Sequence, residues 1–211
     1  MNINIRRLSK SFDGLKVLND LSMDLEGGHI YCLMSASGSG KTTLLRILLG
    51  LEQPDSGYIE GIAGVPMAAV FQEDRLCEEF TPLENVLLAA GRHVTPAFVR
   101  VELCKLLPEE SLTRPVYTLS GGMKRRTAIC RALLADSEAV LMDEPFTGLD
   151  EQTKRHVIDY IREMSSGKLV LITTHQEEDV ALLGGTRITL ASHQDMPVSP
   201  VLLENSTTDL I

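Results

Sequence analysis

The chain of 211 residues has no tryptophan, and aromatic residues make up only 4% of it. Its core must therefore be filled mainly by aliphatic side chains, and each aromatic needs its own explanation. No apolar run approaches the roughly 18 residues needed to cross a bilayer, which excludes a helical membrane channel or carrier. The first ten residues alternate apolar and polar and lack the apolar stretch of a secretory leader. The four cysteines, Cys32, Cys77, Cys104 and Cys130, form no C-x-x-C pair. Neither a zinc site nor a redox pair is expected from that spacing, and reduced thiols in a cytosolic protein are. His29, His93 and His156 have no partner at metal-ligand spacing and read as structural. Positive charge is also short: 20 Lys and Arg stand against 29 Asp and Glu, a net charge of −9. That balance suits a nucleic-acid backbone poorly, and no nucleic-acid partner is expected. Internal repeats and low-complexity tracts are missing.

What is present describes an ordinary globular chain, with 44% hydrophobic and 23% charged residues and a length that allows one domain with a small subdomain. Extended segments are predicted over 2–8 and 17–25, around a turn at Ser11-Phe12-Asp13-Gly14, and the apolar run 29–34 reads as a buried strand. A small-residue loop follows, and helical spacing from Thr42 ends at Gly50. Short strands are expected at 57–60 and 67–71. From Glu73 to Tyr117 the character changes. Thr81-Pro82-Leu83-Glu84 is a capping box with proline at the first helical position, opening a helix to about Ala90. Thr95-Pro96 opens another to about Leu107. The core then resumes with helices over 121–135, 151–164 and 176–183 and strands over 138–142, 168–172 and 187–190. Strands alternating with helices predict an α/β fold with a mostly parallel, helix-covered sheet, and the segment from Glu73 to Tyr117 reads as a helical insert. The expected division is a core of 1–72 and 118–191, a helical subdomain of about 73–117, and a C-terminal tail of 192–211.

Two constellations carry chemistry. Ser35-Ala36-Ser37-Gly38-Ser39-Gly40-Lys41-Thr42, followed by Thr43, leaves a strand and opens a helix, as a phosphate-binding loop requires. Small residues let backbone N–H groups wrap phosphate oxygens, and the helix N-terminus adds partial positive charge. Lys41 can reach the β- and γ-phosphates, and the Thr42 hydroxyl can hold Mg2+. The usual first glycine is replaced by Ser35, which predicts an unusual backbone angle there. The second constellation is Asp143-Glu144-Pro145, at the end of an apolar strand. Such strand ends face the ligand crevice in open α/β sheets. Asp143 can hold Mg2+, and Glu144 can polarise an attacking water as general base. Phosphoryl transfer needs mainly positioning and charge neutralisation, which Lys41, Mg2+ and Asp143 would supply.

Further residues resemble a family. Leu119-Ser120-Gly121-Gly122-Met123 is similar to the L-S-G-G-Q motif of ABC ATPases and lies 20 residues before the acidic strand. Gln72 resembles that family's Q-loop glutamine, Asp150 its D-loop aspartate and His175 its switch histidine. Phe12 lies where the family places an aromatic against adenine. The resemblance implies a P-loop NTPase core, with a mostly parallel sheet, an antiparallel β portion and an inserted helical subdomain, that binds ATP and Mg2+. Lys41, Gln72, Glu144 and His175 would be catalytic, and Thr42, Gln72 and Asp143 would face the metal. Phe12, the loop 35–43, Ser120, Gly121, Gly122 and Asp150 would contact nucleotide. It further implies a head-to-tail dimer with a second ABC ATPase subunit, identical or different, in which each ATP lies between one subunit's phosphate loop and the other's Ser120–Gly122. Membrane permease subunits would be partners at the cytoplasmic face of the cell membrane, where the chain would be peripheral.

Two departures stand out: Ser35 for glycine and Met123 for glutamine. They motivate an alternative, a nucleotide-binding regulator with weak or no hydrolysis. A soluble ABC machine for DNA or ribosomes is disfavoured, since there is neither a coiled-coil insertion nor a second ATPase domain. The stretch Val70–Leu76 followed by Thr81–Val86 is similar to subunits of nitrate/sulfonate-type importers. Lys124, Arg125 and Arg126 read as a solvated face or a dimer contact. Thr173 and Thr174 read as positioning His175.

Overall fold

The computed structural model describes residues 1–36 and 38–190. Ser37, Ala191 and the expected tail 192–211 lie outside the described residues.

Two sheets form the frame. In the first, β1 (Asn2–Phe12) pairs antiparallel with β2 (Leu15–Glu26) on one side and β4 (Ser56–Glu60) on the other. The hairpin closes through Asp13 and Gly14, both at positive φ. The turn is therefore two residues long, shorter than the predicted four, and both strands run further than alternation suggested. Phe12 pairs with Leu15 across the turn.

The second sheet is parallel, in the order β5 (Met67–Val70), β6 (Ala139–Asp143), β7 (Leu169–Thr173), β3 (Ile30–Met34), β8 (Thr186–Thr189). The central strands are apolar up to their C-terminal ends because both faces are covered. Ala139, Leu141, Leu169 and Leu171 point to one side and pack with α1 (Lys41–Leu48) and Ile3, Ile5 and Leu25 of the antiparallel sheet. Val140, Met142, Val170 and Ile172 point to the other side and pack with α4 (Gly121–Leu134) and α5 (Glu151–Met164).

The inserted segment carries α2 (Pro82–Leu87) and α3 (Pro96–Leu106). The Thr81 capping box forms, with Glu84 Oε2 accepting from the Thr81 N–H at 2.8 Å. Helix α2 stops short of the predicted Ala90, which instead bridges to Ala135. Val99, Leu103 and Leu106 of α3 share one apolar cluster with Ile129 and Leu133 of α4 and Val157 of α5. Lys105 of α3 pairs with Glu163 of α5 at 2.8 Å. The insert thus rests on the same core as the sheet. A last helix, α6 (Glu177–Leu183), precedes β8. No helix among the described residues is long and apolar enough to cross a membrane.

Candidate functional site: a strand-end cradle

The parallel register brings the C-terminal ends of β3, β6 and β7 side by side, so the loop after β3 faces the residues that close β6 and β7. Gly40 caps α1 at φ 90°. A Cβ there would lie 2.7 Å from the Val17 carbonyl oxygen, so glycine is needed both for the angle and for the approach to β2. Ser35 is not at a positive φ: among the described residues, the non-glycine positions with one are Arg7, Asp13, Asp20, Arg75 and Glu144. The unusual angle predicted for Ser35 is absent. The Ser35 hydroxyl instead bonds that of Ser39 and ties the loop across its mouth. Strain falls on Glu144, at φ 47°, in the region where functional residues are often held.

Lys41 donates to the carbonyls of Ser35 at 2.8 Å and Ala36 at 3.1 Å. Burial lowers its pKa, while the charges of Glu144 and Asp143 oppose that shift. A continuous chain of contacts follows. The Thr42 hydroxyl donates to Asp143 Oδ2 at 2.7 Å, and the Thr173 hydroxyl donates to Asp143 Oδ1 at 2.7 Å. The Thr173 oxygen accepts the Glu144 N–H at 2.8 Å, and Glu144 Oε1 lies 2.6 Å from His175 Nε2. Asp143 is 3% exposed, and its buried oxygens have these two hydroxyl donors.

A cavity of about 170 Å3 opens on Lys41, Thr42, Thr43, Gln72 and Glu144. Gln72 also borders a second cavity of about 300 Å3, with Thr42, Asp143 and Phe71. Thr42 and Asp143, one hydroxyl and one carboxylate already in contact, are an oxygen donor set that fits Mg2+. Lys41, Thr42, Thr43, Gln72, Asp143, Glu144 and His175 are thus brought together.

Phe12, Ser120, Gly121, Gly122 and Asp150 are not brought into that cavity. Phe12 ends β1, 42% exposed, with Lys10 Nζ 5.0 Å above its ring. Ser120 caps α4 by accepting from the Met123 N–H, and Asp150 caps α5 by accepting from the Thr153 N–H. These bonds to Thr153 hold the Asp150 carboxylate below its ordinary pKa. Gly122 faces the Gly148-Leu149 turn that leads to Asp150, so these motifs make a second surface group.

Two readings need correction. Thr173 holds Asp143 and Glu144 rather than His175, whereas Thr174 does support the loop that carries His175: its hydroxyl accepts the Gln176 N–H at 3.2 Å and donates to Asp179. Nor are Arg125 and Arg126 a solvated face: Arg125 is 7% exposed and bonds the carbonyls of Phe71 and Gln72, and Arg126 bonds those of Gly122 and Leu106. Val17, which lines the cavity from β2, was missed, since an alternating strand residue carries no motif.

A glycine-rich loop after one parallel strand, facing an acidic pair after another, defines a P-loop nucleotide-binding domain. The family model described as ABC transporter matches residues 18–147, more than half of the chain, and the chain belongs to that family. It is similar to the Nod factor export ATP-binding protein I of Burkholderia lata, 38% identical over 201 residues, 86% of this chain and 65% of that protein. It is also similar to the sulfate/thiosulfate import ATP-binding protein CysA of Salmonella typhi, 35% identical over 200 residues, 84% of this chain and 55% of that protein. The chain therefore spans less than two thirds of the length of these relatives. Among solved structures, a dimeric bacterial ABC transporter cassette superposes with a TM-score of 0.77 at 25% identity, covering 89% of this chain and 94% of that one. A bacterial Atm1-family ABC exporter with ATP bound superposes at 0.75 and 22% identity, covering 90% and 37%, which bears on the fold.

Proposed function

We propose that the chain binds and hydrolyses ATP as the nucleotide-binding subunit of an ABC transporter, peripheral at the cytoplasmic face, and drives a separate membrane permease. The observation that carries this reading is the unbroken chain Thr42–Asp143–Thr173–Glu144–His175 beside Lys41. Glu144 takes the proton of the attacking water, and His175 orients the Glu144 carboxylate. Lys41 offsets phosphate charge. When bound, Mg2+ would be held by the Thr42 hydroxyl and the Asp143 carboxylate, with Gln72 beside them, and would neutralise phosphate charge.

Ser120–Gly122 and Asp150 lie outside the cavity at Lys41. A second ABC ATPase subunit that supplies its own copies of them across the nucleotide gives these residues a use, and the dimeric cassette among the structural neighbours supports that arrangement. Of the two departures behind the reading as a weakly hydrolysing regulator, Ser35 closes the loop without a left-handed backbone and gives it no support, which leaves Met123 in place of glutamine as its basis. The likeness of 70–76 and 81–86 to nitrate/sulfonate-type import subunits is one that exporters largely share, and the relatives above include both an export and an import protein.

The test is MgATP turnover of the purified chain against its concentration, beside Glu144→Gln. Turnover that rises faster than linearly and vanishes in the variant supports the reading. Turnover equal in both proteins contradicts it.

A further inference from the structure

The Gln72 loop leaves the edge strand β5 and is mostly exposed, with Arg75 at φ 46°. Among the described residues no hydrogen bond holds the Gln72 side-chain amide. Its place is therefore set by its backbone, and that backbone is held from α4. The Arg125 guanidinium donates through Nη1 to the Phe71 carbonyl and through Nη2 to the Gln72 carbonyl. Its Nε lies 3.2 Å from Asp74 Oδ1. One planar fork thus engages three successive parts of the loop, a task that suits arginine and not lysine. Further along the same helix, Arg131 donates to the carbonyls of Arg75 at 2.8 Å and Asp74 at 3.1 Å. The guanidinium of Arg75 in turn stacks on Phe71, 3.8 Å from the ring centroid. Ser120 caps the N-terminus of helix α4, and Arg125 lies just over one turn inside it.

We propose that Arg125 is a positioning residue for ATP hydrolysis: by holding the carbonyls of Phe71 and Gln72, it makes the placement of Gln72 at the nucleotide follow helix α4. The first turn of α4 carries Ser120–Gly122, so a shift of that helix reaches Gln72 directly. The proposal rests on the reading of the chain as an ATPase.

The experiment compares the full chain with Arg125→Met, Arg125→Lys, Gln72→Ala and the double variant Arg125→Met/Gln72→Ala. Turnover, melting temperature and amide hydrogen exchange are measured on each. Arg125→Met is expected to lower kcat about tenfold with KM for ATP changed less than about twofold, as the loss of a buried charged donor suggests. Exchange at Gln72–Arg75 rises while that of β1 and β2 stays unchanged, and Arg125→Lys recovers part of both effects. The double variant turns over no more slowly than Gln72→Ala. Losses that multiply in the double variant, or a kcat loss matched by equal losses in affinity and melting temperature, overturn the proposal. If Arg125→Met does not fold, Arg125→Lys decides: intermediate turnover and exchange support positioning, and wild-type values for both overturn it. A wild-type chain without turnover removes the ATPase reading, and exchange at Gln72–Arg75 then decides by itself whether Arg125 holds the loop.

Discussion

The phosphate loop after β3 and the Gln72 loop after β5 both leave the C-terminal ends of parallel strands, yet they are held in opposite ways. The first is self-contained. Gly40 allows its sharp entry to α1, Ser35 bonds Ser39 across it, and Lys41 folds back onto its carbonyls. The second contributes little to its own hold and is clamped through its backbone by Arg125 and Arg131 of α4. A self-contained loop keeps its shape when neighbours move, and a clamped loop goes where its clamp goes. The two loops meet at one cavity, so the fixed one suits phosphate and the clamped one suits a part that reports on the rest of the molecule.

Changes at the rigid side should be the most severe. Glu144→Gln removes the proposed base but leaves its backbone N–H on Thr173, so turnover should fall about a thousandfold with little change in ATP affinity, as kinetics and nucleotide titration would show. The loop carrying His175 is an intermediate case, held from outside but by buried charge. Lys154 of α5 lies 3.1 Å from Asp179 and 2.6 Å from Gln176 Oε1. Lys154→Met leaves the buried Asp179 without its counter-ion and should cost about 3 kcal/mol in urea unfolding. A loss below about 1 kcal/mol would show that this loop is self-contained too. Thr173→Val keeps the shape but strips one donor from Asp143 and the acceptor from the Glu144 N–H. It should cost about 2 kcal/mol and slow turnover about tenfold. The smallest effect is expected for Ser35→Gly, which restores the usual glycine. Because Ser35 is not strained, the change should lower stability by about 1 kcal/mol and leave turnover within about twofold. A marked gain in turnover would mean that the loop is less fixed than its bonds indicate.

The same contrast explains what could be read from the sequence. The phosphate loop, the acidic pair 143–144 and the capping box at Thr81 depend on local spacing, and each lies where it was expected. The alternation of strands and helices was enough for a mostly parallel sheet. Contacts between distant segments were not readable. Arg125 lies 53 residues from Gln72, and within a Lys-Arg-Arg run it looks like a solvated face. Thr173 precedes His175 in the chain and seemed to serve it, but the register of β7 beside β6 turns its hydroxyl to Asp143. Val17 meets Gly40 only because β2 packs on the loop. Ser35 misled in the other direction, because its departure from glycine suggested strain that its bond to Ser39 and its ordinary φ do not show.

Under the proposed function the reacting groups are divided between a cradle within one chain and a group, Ser120–Gly122 with Asp150, that a second subunit would bring to the nucleotide. Sedimentation velocity of Glu144→Gln tests this most directly. With MgATP the variant cannot clear the nucleotide, and it should sediment as a dimer; with MgADP at the same concentration it should sediment as a monomer. A variant that binds MgATP yet remains monomeric would contradict a site shared between two copies of this chain.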